Sequence, residues 1–297
     1  MSLLIIIKRN MKLFFKDKGL FFVSLVTPLV LLLLYTTFLG KVFKDAFTAS
    51  IPNVEGVIKD PALIDSFISA QLVSSLLAVS CVTVAFCANA VMVSDKYTDS
   101  LKDFLVTPVN KGIMALGYYF ATMLSALLIC YIALALGLWY MAIVGWNLDP
   151  GAIPWLMLDV LLLVNFGTAL SSIIHFFLKT QGHMSAVGTI VSAAYGFICG
   201  AYMPMSNFNE GLRNALSFLP GTYATSLLRY HSMSSILDKF KYPEEIANGI
   251  LDSVDAHMYF FDKQVGNTAM YAILAGSTVA LILIYILMNI LRKRSVK

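Results

Sequence analysis

The chain is poor in charge. Lysine, arginine, aspartate and glutamate make up only 13% of its 297 residues, against roughly 25% in soluble domains. With 59% hydrophobic residues, that scarcity excludes an ordinary soluble globule and describes an integral membrane protein. The apolar residues fall in long runs rather than weak alternating segments, so helices are expected and not a barrel. Cysteine is scarce as well. Cys81, Cys87, Cys130 and Cys199 all lie in apolar runs, with no CxxC pair and no histidine at zinc spacing. They read as small buried hydrophobes. His175, His183, His231 and His257 are scattered. There is no Gly-x-x-x-x-Gly-Lys-Ser/Thr run; the nearest Gly-Lys pair, Gly40-Lys41, is followed by Val42. No His-Glu-x-x-His motif, Gly-x-Ser-x-Gly motif or paired acidic metal motif appears. The chain is therefore not expected to be an enzyme, to hold a metal or cofactor, or to bind nucleic acid. A transport role powered by nucleotide would need a second chain.

What is present is a string of apolar runs. Spans are expected at about 19–39, 70–93, 112–144, 152–178, 183–203 and 267–291. Residues 2–18 precede them as a basic amphipathic segment, with Lys8, Arg9, Lys12, Lys16 and Lys18 among apolar residues. It suits the inner membrane surface, or it serves only as a topology signal. Its apolar run at residues 3–7 is too short for a cleaved signal peptide, so the amino terminus is expected to be retained. Pro28 predicts a kink in the first span. Trp139, Tyr140 and Trp146 mark an interface at the end of the third. The fifth is rich in Gly, Ala and Ser, which predicts close packing on a neighbour. Residues 40–69 and 231–266 are expected to be polar outer loops, the first with a short helix from Pro61 on.

Between the second and third spans lies a short charged stretch. Ser94 is a candidate N-cap with Asp95 in the first turn. Tyr97, Leu101, Phe104 and Leu105 then recur at helical spacing, and Pro108 ends the element. The spacing predicts an amphipathic helix over 94–107. It is either a capped surface connection or a docking helix for a soluble partner. Residues 204–230 are half apolar and broken by Pro220-Gly221. Asn207 with Glu210 suits a helix start, and Phe208, Leu212, Leu216 and Leu219 recur on one face. Two short helices forming a re-entrant hairpin are expected, or else a helix lying on the surface.

Charge sets the orientation. The segments on the side of the termini carry a net +9 and the opposite segments −4, which places both termini in the cytoplasm. Asp159 is the one acid inside a span. It lies near the outer end, within reach of water, and opens an alternative reading as a secondary carrier. A non-transporting membrane scaffold is a further alternative, although no reactive cluster supports it.

The order of basic start, six spans, helix after the second span and broken segment after the fifth resembles the permeases of the ABC-2 type exporter superfamily. The stretch Asp99-Ser100-Leu101, followed by Leu105-Val106-Thr107-Pro108-Val109, is similar to that family's coupling-helix pattern. Gly200, Met203-Pro204, Leu219-Pro220, Tyr223 and Leu228-Arg229 are similar to its second pattern. The run Asp95-Lys96-Tyr97-Thr98-Asp99-Ser100 departs from the family's Glu-Arg-Glu-x-Gly-Thr, with Asp99 in place of glycine.

The resemblance implies an all-α permease with an interfacial N-terminal helix, a cytoplasmic coupling helix and a re-entrant outer hairpin. It implies an ABC ATPase subunit that binds ATP and Mg, docked on Asp95, Tyr97, Asp99, Leu101, Phe104, Leu105 and Pro108. It implies a second permease, identical or homologous, in the cell membrane, and a gate or path built by Pro204, Pro220, Tyr223 and Arg229. The exported substrate would be a small amphipathic compound, drug, antibiotic peptide or lipid.

Overall fold

The computed structural model describes residues 3–50, 60–100, 110–261 and 263–291. Among them the protein is helical apart from one small antiparallel hairpin, β1 (Met258–Phe260) with β2 (Lys263–Val265). Helix α1 (Leu3–Lys16) buries Ile6, Asn10 and Phe14, a stripe with the four-residue spacing of one helical face. Its lysines and Leu4, Ile5 and Leu13 remain exposed.

The first span is longer than expected. Helix α2 (Lys18–Leu34), capped by Asp17, passes through a π-helical turn (Tyr35–Leu39) into α3 (Gly40–Ser50). Residues 40–50 are thus helical and not loop. Thr36 and Thr37 both return their hydroxyls to the Leu33 carbonyl there. Helix α4 (Pro61–Ala88) also starts early, because Asp60 caps it and Pro61 sits at its first turn. At Asn89 it gives way to α5 (Ala90–Tyr97).

Helices α6 (Lys111–Gly145), α7 (Ala152–Phe177) and α12 (Asn267–Leu291) fall within a residue or so of expectation. Helix α8 (Gln181–Ile198) is shorter than the span expected there, since the chain turns at Gly200 with φ +75°. Five stretches among the described residues are long and apolar enough to cross a membrane: Lys18–Ala49, Pro61–Tyr97, Lys111–Gly145, Ala152–Phe177 and Asn267–Leu291. Helix α8 is not among them; Gln181, His183, Ser185, Thr189 and Ser192 dilute its hydropathy.

The segment after α8 differs most from its sequence pattern. Asn209, and not Asn207, caps the short helix α9 (Glu210–Leu216). Of the expected stripe only Leu216 is buried, while Leu212 and Leu219 are exposed. Pro220 does not break a helix. It opens α10 (Pro220–Asp238), where its missing N–H costs nothing. Helix α10 therefore runs through part of the expected loop, which also holds α11 (Glu244–Ser253) and the β-hairpin.

Helix α4 is the axis. It packs against α2, α6, α7, α8 and α10, and 94% of its most apolar stretch is buried. A buried polar knot fixes it where it bends. The Asn89 amide donates to Ser171 at 3.0 Å and Ser172 at 3.2 Å on α7, and accepts from Thr122 on α6 at 3.3 Å. A buried amide costs free energy unless its groups are paired, and here both ends are.

Candidate functional site

Two polar clusters lie at opposite ends of the bundle. The first is at the α1 side and surrounds α5. Ser94 is not an N-cap; it lies inside α5, which continues the helical run beyond Asn89 and ends at Tyr97 with Thr98 as C-cap. The chain then turns, with Asp99 at φ 61°. A single helix over 94–107 is thus not formed. Leu101, Phe104, Leu105 and Pro108 lie outside the described residues.

Asp95 does not face solvent. It is 4% exposed and receives a two-pronged contact from Arg9 of α1, one prong at 2.9 Å. The Tyr118 hydroxyl of α6 donates to the same carboxylate at 2.5 Å. A guanidinium fork on a carboxylate is both strong and directional. The carboxylate in turn holds the Arg9 pKa above its ordinary value. Lys96, the next residue, reaches the other way. Its ammonium donates to the carbonyls of His175, Phe176 and Leu178 at 2.6, 2.9 and 3.1 Å. Those groups end α7, where backbone carbonyls have spare acceptor capacity and the helix dipole favours a cation. Two consecutive side chains of α5 thereby grip α1, α6 and α7. Tyr97 and Asp99 are exposed beyond this grip.

The second cluster lies at the opposite end. Helix α10 begins beside Phe166 and Tyr195 in the bundle and reaches Asp149 at the rim, where the Asp149 amide donates to Ser235. Arg229 on α10 is buried. It donates to the Gly200 carbonyl at 2.6 Å, to Asp255 at 3.2 Å and to Ser75 on α4 at 3.5 Å. Asp255 also accepts from the Met205 amide at 2.7 Å. Burial pushes the Asp255 carboxyl above the usual range, opposed by Arg229 and that amide. Tyr223, buried, donates to the Ser217 carbonyl at 2.7 Å and so folds α9 back on α10. Pro204 precedes the one-turn 3-10 helix Met205–Asn207. Arg229 and Tyr223 thus share one end of the molecule with Pro204, while Pro220 sets the depth at which α10 starts.

Asp159 lies near this cluster, but water does not reach it; its exposure is 0%. Its two oxygens meet His231 Nδ1 of α10 at 2.7 Å and the Tyr271 hydroxyl of α12 at 2.6 Å. The His231 ring stacks on Trp155 with centroids 5.6 Å apart. Asp159 is thus a junction of three helices. Sequence reasoning missed Arg9, Lys96, Tyr118, His231, Tyr271 and Asp255. Arg9 looked like one cation of a basic run, and the others pair across 23 to 112 positions, a distance no local pattern spans.

Long apolar helices around a buried axis, joined by polar ties at both ends, make this a multi-pass membrane protein. A family model described as ABC-2 type transporter matches residues 1–232. The chain belongs to that family and is a membrane subunit of an ABC-type transporter, which implies an ABC ATPase subunit as partner. No curated protein matches it.

Proposed function

We propose that the chain is the permease of an ATP-driven exporter in the cell membrane, with both termini in the cytoplasm. The ATPase binds ATP and Mg and docks on residues 94–107. A second permease, identical or homologous, completes the path. Small residues Ser185, Ala186, Thr189 and Ala193 of α8 are exposed, contrary to expectation within one chain. They suit the close helix contact that a second subunit would make. The cargo is a small amphipathic compound, drug, antibiotic peptide or lipid.

The observation that carries this reading is the paired grip of Asp95 and Lys96. A push on the docking segment moves α5. Through Arg9 and Tyr118 it moves α1 and α6, and through the capped carbonyls it moves α7. At its far end α7 holds α10 and α12 through Asp159. Work done at the cytoplasmic face therefore reaches residues 204–230, which we read as the re-entrant outer gate. A carrier using Asp159 has less support, since both carboxylate oxygens are already engaged.

Replacing Leu101 and Phe104 by Ser should reduce co-purification of the ATPase at least about tenfold, equivalent to ~1.4 kcal/mol, with membrane insertion unchanged. Full recovery of the ATPase with that double variant would remove the docking role.

A further inference from the structure

Helix α8 leans on α4 and α5 and meets α7 only sparsely. The gap is a cavity of about 230 Å³. Val82 and Phe86 of α4 form its back, and the turn from Leu219 to Thr222 forms its roof. Ile190 and Leu219 line it and are also exposed on the outside of the bundle, so it opens sideways where the bilayer would lie.

The wall is almost wholly apolar. Thr222 turns its hydroxyl to the Leu219 carbonyl at 2.6 Å. A buried water needs two to four polar partners, and apolar cavities stay dry; a void of ~150 Å³ lined by such side chains takes up benzene. This one is larger and has lipid at its mouth. One polar group breaks the pattern. The Tyr195 hydroxyl is buried and has no hydrogen-bond partner among the described residues. It lies against Gly221, where an added Cβ would meet it at 2.4 Å. Glycine at 221 is thus what leaves that hydroxyl its place in the wall.

We propose that this cleft, inside a single subunit, binds one apolar chain of an amphiphile entering sideways from the bilayer, with the Tyr195 hydroxyl donating to an oxygen of that molecule. The chain belongs either to a resident phospholipid or to cargo, and the second source rests on the export reading above.

The full-length protein in phosphatidylcholine and phosphatidylglycerol nanodiscs, without ATP, tests the site. Two probes are used: palmitic acid bearing a diazirine on its chain, and phosphatidylcholine with the same group on one acyl chain. After irradiation, label from at least one probe should concentrate on residues 166–174 and 190–199. Ala194→Phe, which fills the cavity, should cut that label at least about fivefold, and Ala194→Leu should cut it less. Tyr195→Phe should lower it about twofold. Label on the outward-facing Leu283 and Leu287 of α12 should not change. Cavity label no denser than that on Leu283 and Leu287, or label indifferent to both Ala194 variants, overturns the proposal. With the ATPase and ATP added, loss of label from the fatty-acid probe identifies cargo, and persistent phospholipid label identifies a resident lipid; either supports the site. Because the first measurement needs no ATP, it can succeed even where the export reading fails.

Discussion

Lys96 shows how much one side chain can hold. Its ammonium donates to three carbonyls at the end of α7. It also lies 5.7 Å from the centre of the Phe176 ring, within cation–π range. Lys96→Met keeps much of the stem and removes the charge. It should destabilise the folded protein by about 1.5–3 kcal/mol, the range for a hydrogen bond to a charged group. Lys96→Arg, which keeps the charge and the donors, should recover part of that loss. Thermal unfolding in detergent gives the comparison. Equal midpoints for the parent and the Met variant would mean that water serves those carbonyls equally well. At this scale the sequence was legible for types and not for pairs. Asp159 stood out as an acid in an apolar run, yet nothing local pointed to His231 or Tyr271. Asp95 looked exposed because a short polar stretch was read without its neighbours, and Arg9 and Tyr118 reverse that reading.

Among the elements, α1 depends on a single small residue. Gly117 of α6 lets Ile6 approach so closely that an added Cβ would stand 2.5 Å from Ile6 Cγ2. Gly117→Val should lift α1 from its seat and pull Arg9 away from Asp95, while leaving the membrane spans in place. Trypsin should then cut at Lys8, Arg9 and Lys12 about tenfold faster in detergent, corresponding to ~1.4 kcal/mol of lost docking. Cleavage at the parent rate would show that α1 is held by its other contacts. Element boundaries were legible where a cap or a long apolar run settles them, as at Pro61, where a short helix was expected, and at Ala152 and Asn267. They were not legible where one residue type serves two ends. Proline both stops helices and starts them, and only packing shows that Pro220 does the second. Ser94 suits a cap, but the apolar residues before it keep α4 and α5 helical past it.

At the scale of the whole molecule, function depends on which side faces the cytoplasm and on how many times the chain crosses. Five stretches among the described residues are long and apolar enough, and five crossings would put the ends on opposite sides. The contacts point to an even number. Ile6 near the start packs on Gly117 early in α6, and Ile290 near the end of α12 lies against Gly112 and accepts from Lys111. Both ends of the described chain therefore meet the same end of α6. Helix α8 carries the chain from the end of α7 to Gly200, which Arg229 holds at the level of Ser75, and α10 continues to the far rim. On the proposed even count, the sixth crossing would be shared by a short helix and a buried turn, a form that hydropathy alone does not register. On the proposed topology, the charge split of +9 against −4 would place the α1 side in the cytoplasm. Thr98 and Ser253 are exposed at opposite ends. Cys81, Cys130 and Cys199 are buried, so replacing Cys87 by Ala gives a quiet background. In intact cells a membrane-impermeant maleimide should label Ser253→Cys and spare Thr98→Cys, and opening the membrane should make both react. Labelling of Thr98→Cys in intact cells would invert the molecule and with it the site of ATPase docking. Labelling of both variants before opening would break the even count of crossings.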